Sequence, residues 1–236
     1  MLEFDFEPDL PGWSKQLVGF DLETTGLDLA TSRIVTASVV EIDAAGDAVT
    51  ARDWLVNPGI DIPLEASAVH GVTTELARRD GQEPKIALAE LSEMLANYFA
   101  KGMTVVAFNA PYDFTILRND LVRNGLSPLL AKPVIDPLVI DKQYVQFRKG
   151  KRTLGILCGH YSIELENAHQ SSADALAAVR LAQQQARIFA KEIEADPYRL
   201  HDQQVEWSKQ QDESFAKFMA DKNPNFKLVP GWPEKG

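Results

Sequence analysis

Gln16-Leu17-Val18-Gly19-Phe20-Asp21-Leu22-Glu23, closed by Thr24-Thr25-Gly26, decides how this chain is read. A short apolar run ended by a turn signal is the pattern of a strand buried in a sheet. Side chains alternate between the faces of a strand, so Asp21 and Glu23 project the same way. A lone Asp-x-Glu is more often a pair of surface acids. Here the positions around Asp21, from Leu17 to Phe20 and at Leu22, are apolar or glycine, and unpaired acids at the end of a buried strand are costly unless a cation compensates them.

Working outward, β-branched and partly alternating segments over 33–43 and 48–56, separated by Ala44-Ala45-Gly46-Asp47, predict a hairpin continuing from the first strand. Pro63 and Gly71 bracket a brief helix over 64–69. Ile86, Leu88, Leu91, Met94, Leu95, Tyr98 and Phe99 then recur at helical spacing up to Gly102. A second buried strand is expected over 103–108, a helix over 111–124 and a short strand at Val134-Ile135. Helices follow over 137–147, 153–161 and from 172 to about 190. Three early strands followed by alternating elements imply an α/β fold, a mixed sheet with helices on its faces. Past Asp196-Pro197 a polar segment carries Trp207, Phe215 and Phe218, which reads as an appended helix packing back on its own domain. The expected division is an acidic leader over 1–14, a main domain over 15–190, and a helical segment and tail over 191–236.

Composition narrows the function. The 236 residues carry 24 Lys+Arg against 34 Asp+Glu, a net charge of −10, which argues against a nucleic-acid-coating protein or a polybasic membrane anchor. The hydrophobic share of 45% excludes a wholly disordered or collagen-like chain. A single cysteine, Cys158, allows neither an intramolecular disulfide nor a Cys-based zinc site, and is expected to pack in its helix. With no basic n-region and no apolar run near the ~18 residues a span needs, the expectation is a cytoplasmic protein without membrane contact.

Further acids lie downstream. Asp113, in Asn109-Ala110-Pro111-Tyr112-Asp113-Phe114, falls in the first turn of a helix, where it also suits the helix N-terminus, and Asn109 suits an N-cap. Asp174, in His169-Gln170-Ser171-Ser172-Ala173-Asp174, fits a capping box with Ser171 as N-cap. His169 precedes Asp174 by five residues, about 140° around a helix, so it has to sit in the preceding loop to meet the acids.

In this order the motifs resemble those of the DnaQ-like 3′–5′ exonucleases, the histidine-containing (DEDDh) branch of its superfamily, which includes the proofreading epsilon subunit of bacterial replicative DNA polymerase. The matching stretches are 20–26, 109–114 and His169 with Asp174, supported by 63–73 and 154–161, together covering about 15 to 190. The resemblance implies an RNase H-like fold with a five-stranded mixed sheet ordered 3-2-1-4-5. It also implies that Asp21, Glu23, Asp113 and Asp174 are metal ligands and that His169 is the general base.

The chemistry suits these residue types. Phosphodiester hydrolysis needs charge neutralised at phosphorus, a deprotonated water and a stabilised leaving oxygen. Two Mg²⁺ or Mn²⁺ ions on hard oxygen ligands supply these. Four carboxylates and two divalent ions balance in charge, and a histidine of ordinary pKa near 6.5 accepts a proton near neutral pH. Expected substrate contacts are Leu22, Thr24, Thr25 and Gly26 beside the metals, then His70, Asn109 and Phe114, with Lys151 and Arg152 of the one dense basic run reaching the phosphate backbone. The expected substrate is the 3′ end of DNA, single-stranded or frayed, released as nucleoside 5′-monophosphates in proofreading, repair or turnover. The alternatives are an exoribonuclease of the same superfamily, a non-catalytic polymerase- or nucleic-acid-binding module, and a nucleotide phosphatase. No sliding-clamp motif identifies a polymerase partner.

Overall fold

A computed structural model describes residues 10–165, 168–223 and 226–236. The leader expected over 1–14 therefore lies outside the described residues for its first nine positions. Five strands form one sheet: β1 (Leu17–Thr24), β2 (Ile34–Ile42), β3 (Ala48–Leu55), β4 (Thr104–Val106) and β5 (Val134–Ile135). Their order is β3-β2-β1-β4-β5, as expected. β1 pairs antiparallel with β2, β2 antiparallel with β3, and β1–β4 and β4–β5 are parallel.

The helices are α1 (Leu64–His70), α2 (Thr74–Asp80), α3 (Pro84–Ala100), α4 (Ala110–Arg123), α5 (Pro137–Tyr144), α6 (Leu154–His160), α7 (Ser171–Ile188) and α8 (Pro197–Ala220). β1 is apolar from Leu17 to Phe20 and again at Leu22 because both its faces are covered there, and its acids come only toward its carboxyl end. Val18, Phe20 and Leu22 pack with Leu88, Leu91 and Leu95 of α3 and Phe114, Leu117 and Leu121 of α4. Leu17 turns the other way, into the cluster of Ala175, Ala178, Val179 and Ala182 of α7. Gly19 shares that second face. A methyl group there would meet the Ala175 carbonyl oxygen at 2.5 Å and Cγ1 of Val179 and Val40 at 2.9 Å, so only glycine lets α7 lie this close to the sheet.

The structure departs from the sequence expectations at three places. α2 went unread because its sequence, TELARRD, buries only Ala77 and shows no apolar stripe; its start signal is Thr73, whose hydroxyl accepts from the Leu76 amide. The helix expected over 137–147 ends at Tyr144, and beyond it Arg148 and Arg152 fold back onto the buried Asp141. Ser171 is not the N-cap of α7. Gln170 holds that position, and the Ser171 hydroxyl bonds instead to Ser38 Oγ at 2.7 Å and Thr36 Oγ1 at 3.1 Å, pinning the helix start to β2.

α8 packs back on the domain as expected. Leu200 is fully buried, and two polar side chains of α8 satisfy the edge strand β5. His201 Nδ1 accepts from the Val134 amide at 3.0 Å. Gln204 Oε1 accepts from the Asp136 amide at 2.8 Å and its Nε2 donates to the Val134 carbonyl. A side-chain ladder thus closes an open edge. Burial pushes the His201 pKa down to about 4, keeping neutral the ring that must accept this bond. Cys158 is buried, and burial raises its thiol to about 11. Among the described residues no helix is long and apolar enough to cross a membrane.

Candidate active site

The site lies at the carboxyl ends of the parallel strands β1 and β4, where open α/β sheets place their crevice. β1 contributes Asp21 and Glu23 from one face, opposite Ser38 and Thr36 of β2, and its register slips between Glu23 and Thr24. That irregularity lies beside the acids, and the pairing resumes at Thr24 with Ile34. α4 contributes Asp113, buried at 2% exposure, whose Oδ1 accepts from the Leu22 amide at 3.0 Å. α7 contributes Asp174, whose Oδ2 accepts from the backbone amide of His169 at 3.1 Å. His169 has φ 69°, a left-handed conformation that folds the loop so that its exposed side chain comes alongside the acids. Ligand atoms of Glu23, His169 and Asp174 all lie within 4.8 Å of one another.

The four acids sense one another. Burial raises Asp21 well above the usual carboxylate range, and repulsion from Asp113, Asp174 and Glu23 raises it further. Burial and Asp174 lift Glu23 to about 7. Burial raises Asp113, opposed by the Leu22 amide and reinforced by Asp136 and Glu23. Burial also raises Asp174, against the His169 amide bond. Asp174 Oδ1 is buried and makes no hydrogen bond. Hard oxygens held close, mutually repelling and partly unpartnered are the donor set a divalent cation satisfies. Glu23 and Asp174 with His169 therefore form a group that fits a metal ion, and Asp21 and Asp113 are electrostatically coupled to it.

The expected substrate contacts divide. Thr24 Oγ1 donates to the Gly26 carbonyl at 2.7 Å and shares a hydrogen bond with the Tyr112 hydroxyl, which itself reaches the Gly26 carbonyl at 2.8 Å. Thr25 Oγ1 accepts from the Arg33 amide. Both threonines are buried and shape the turn. His70 Nδ1 accepts from the Val72 amide at 3.2 Å, and its Nε2 is buried beside the Thr24 backbone with no hydrogen bond. Asn109 stands at the start of α4 in a left-handed conformation, φ 63°, with an exposed side chain that caps nothing.

Three expectations need correcting. The Leu22 side chain is buried in the core and its amide is used by Asp113. Phe114 is 1% exposed, its ring 5.2 Å from that of Phe20, so it presents nothing to a substrate. Arg152 pairs with Asp141, as does Arg148 at 2.6 Å, while the Tyr161 hydroxyl donates to the same carboxylate at 2.8 Å. Burial pushes Asp141 up, but the bonds from Arg148, Tyr161 and Arg152 hold it below the ordinary value. A buried acid needs such partners, which consumes half of the basic run. Lys151 remains exposed.

Sequence reasoning passed over Tyr112 and Asp136. Tyr112 sits inside the second motif, and its signal was position alone. Asp136 precedes Pro137, a helix-start pattern, and its side chain indeed accepts from the Leu138 amide at 2.9 Å.

The model of the RNase T exonuclease family matches residues 18–182. The PolC-type DNA polymerase III of Lactococcus lactis is 28% identical over 177 residues, covering 74% of this chain and 10% of that protein. A DNA polymerase III subunit epsilon-like protein of Rhodobacter capsulatus is 36% identical over 133 residues, 52% of this chain and 17% of the relative. The chain thus spans only a small part of the length of these relatives. E. coli exonuclease I in complex with a dT13 oligonucleotide superposes with a TM-score of 0.62 at 20% identity, over 75% of this chain and 43% of that one. Its complex with a dA16 oligonucleotide gives 0.63 at 18%, over 86% and 45%. That likeness shows the shared RNase H-like fold. The chain belongs to the RNase T exonuclease family.

Proposed function

We propose that this chain removes nucleotides one at a time from the 3′ end of single-stranded or frayed DNA, hydrolysing the terminal phosphodiester and releasing nucleoside 5′-monophosphates. The observation that carries the reading is the buried, unpartnered Oδ1 of Asp174 within a cluster that includes Glu23 and the exposed His169. The DNA preference draws support from the DNA polymerase III relatives.

Asp21, Glu23, Asp113 and Asp174 would hold two divalent cations, Mg²⁺ or Mn²⁺. Such ions, when bound, neutralise charge at the scissile phosphate and acidify the attacking water. The remaining work falls to the protein. His169 is tied by its backbone to Asp174, which leaves its imidazole free to accept the water's proton. The Thr24–Tyr112–Gly26 lock keeps the turn beside the acids rigid, and its backbone borders the terminal nucleotide. His70 and Asn109 flank that place, and Lys151 offers an exposed charge to the phosphate backbone. The role would be proofreading, repair or turnover, with DNA 3′ ends as the partner.

The test is a time course on 5′-labelled and 3′-labelled single-stranded DNA, and on RNA of the same sequence, with Mg²⁺, Mn²⁺ or chelator. The expected result is early release of the 3′ label as a mononucleotide, a shortening ladder from the 5′ label, and no reaction in chelator. Release that ignores chelator, or internal cuts first, overturns the reading. Faster attack on RNA moves the substrate to RNA ends, where the 2′-hydroxyl is what a close-fitting terminal site distinguishes.

A further inference from the structure

Asp136, at the end of β5 and 1% exposed, gathers four donors on one carboxylate. Its Oδ1 accepts from the amides of Asn109 at 3.0 Å and Leu138 at 2.9 Å. Its Oδ2 accepts from the amide of Ala110 at 3.0 Å and from the indole Nε1 of Trp232 at 3.3 Å. Two of these donors open α4, the helix whose first turn carries Asp113. Asn109 is left-handed there, a conformation asparagine adopts more readily than other non-glycine residues. The Asp136 carboxylate fixes the two amides, of Asn109 and Ala110, on either side of that turn.

Among the described residues, Trp232 is the one donor to that carboxylate from beyond the family-matched residues 18–182. It is itself built in. Its ring is 7% exposed and lies 4.9 Å from that of His201. The tail around it grips α4 directly: the Lys235 amide donates to Thr115 Oγ1 at 2.8 Å, and Arg118 donates to the Lys235 carbonyl at 2.7 Å and pairs with Glu234 at 3.3 Å. The tail therefore holds the helix in its second and third turns through Thr115 and Arg118, and at its start through Trp232 and Asp136.

We propose that Trp232 is a positioning residue for the metal ligand Asp113, acting through Asp136 and the left-handed start of α4, so that the C-terminal tail sets the divalent-cation affinity of a site it never touches. The proposal rests on the reading of the four acids as a cation site. Without the indole donor the carboxylate of Asp136 turns more freely, the Asn109 and Ala110 amides lose a fixed acceptor, and Asp113 samples positions farther from Asp21 and Glu23. The cation then meets a looser set of donors, while the substrate face is unaltered.

The test measures Mn²⁺ binding to the full chain without nucleic acid, from the loss of the free-ion paramagnetic resonance signal. Thermal melting is recorded alongside. Trp232→Phe keeps the ring and removes the donor, and Trp232→Leu serves if the phenylalanine variant does not fold. Changing a residue that orients a metal ligand typically weakens binding by about 10–100-fold. One residue further out, the expected weakening is about 3–10-fold, with activity restored at saturating Mn²⁺. Ile62→Ala, a cavity in the separate small cluster of Val35, Val72 and Ala77, controls for lost stability: it should lower the melting temperature and leave Mn²⁺ affinity unchanged. A folded Trp232 variant that melts lower yet binds Mn²⁺ like the parent overturns the proposal and leaves the cation site standing. A parent chain that binds no Mn²⁺ overturns both.

Discussion

Gly19 of β1 faces Ala175 of α7 so closely that a methyl group on the glycine would lie 2.5 Å from the Ala175 carbonyl oxygen. Gly19 is two residues from Asp21 and Ala175 is adjacent to Asp174. The close approach of the two backbones is therefore also what brings acids from the first and last motifs together.

Gly19→Ala should force α7 away from β1. Overpacking of this kind costs about 1–3 kcal/mol. The expected outcome is a lower melting temperature together with weaker Mn²⁺ binding, read by urea titration and by metal titration of the same sample. A variant that loses stability yet binds metal normally would show that α7 shifts without moving Asp174.

The acids make the metal-free chain sensitive to pH. Burial and Asp174 raise Glu23 to about 7 in the folded state, against an ordinary value of 4.5, and Asp21, Asp113 and Asp174 are raised as well. A raised carboxylate pKa means the folded chain binds more protons than the unfolded one, so its contribution to stability is fully present below about 4.5 and is lost as pH climbs through about 7. In chelator, the melting temperature should fall between pH 5 and 8, and Mg²⁺ or Mn²⁺ should remove most of that fall. Glu23→Gln should flatten the chelated profile.

His169→Ala removes the proposed base and leaves intact the backbone amide that anchors Asp174. Terminal nucleotide release should drop by about 10²–10⁴-fold, the range for general base catalysis. Mn²⁺ affinity should stay within about twofold of the parent. Full activity in this variant would transfer the base role elsewhere.

Arg152 and Lys151 are neighbours with different work. Arg152→Ala removes one of the partners of the buried Asp141 and leaves Arg148 and Tyr161 on it, and one hydrogen bond to a charged group is worth about 1.5–3 kcal/mol, so melting should suffer and the salt dependence of DNA binding should not. Lys151→Ala should leave melting unchanged and lower the slope of log affinity against log salt by about one phosphate contact.

The fold was legible because its elements carry strong local patterns. The apolar run at 17–22 read as a strand covered on both faces, and the heptad-like spacing of Leu88, Leu91 and Leu95 read as a helix on a core. α2 was not legible, since a seven-residue polar helix buries one alanine and leaves no periodicity to detect. The motif acids were legible by type and order, and the structure gathers Glu23, His169 and Asp174 within 4.8 Å.

Residue chemistry and spacing thus determined the strands and most of the helices, while the resemblance to a family supplied the sheet order and the choice of the four acids. Tertiary structure alone decided that Leu22, Phe114 and Arg152 serve the core and a buried ion pair, and that Trp232 reaches Asp136 across 96 residues. The reason is physical: local sequence encodes which face of an element is apolar, whereas the partner of a buried polar group depends on segments distant in the chain that meet only when the core closes.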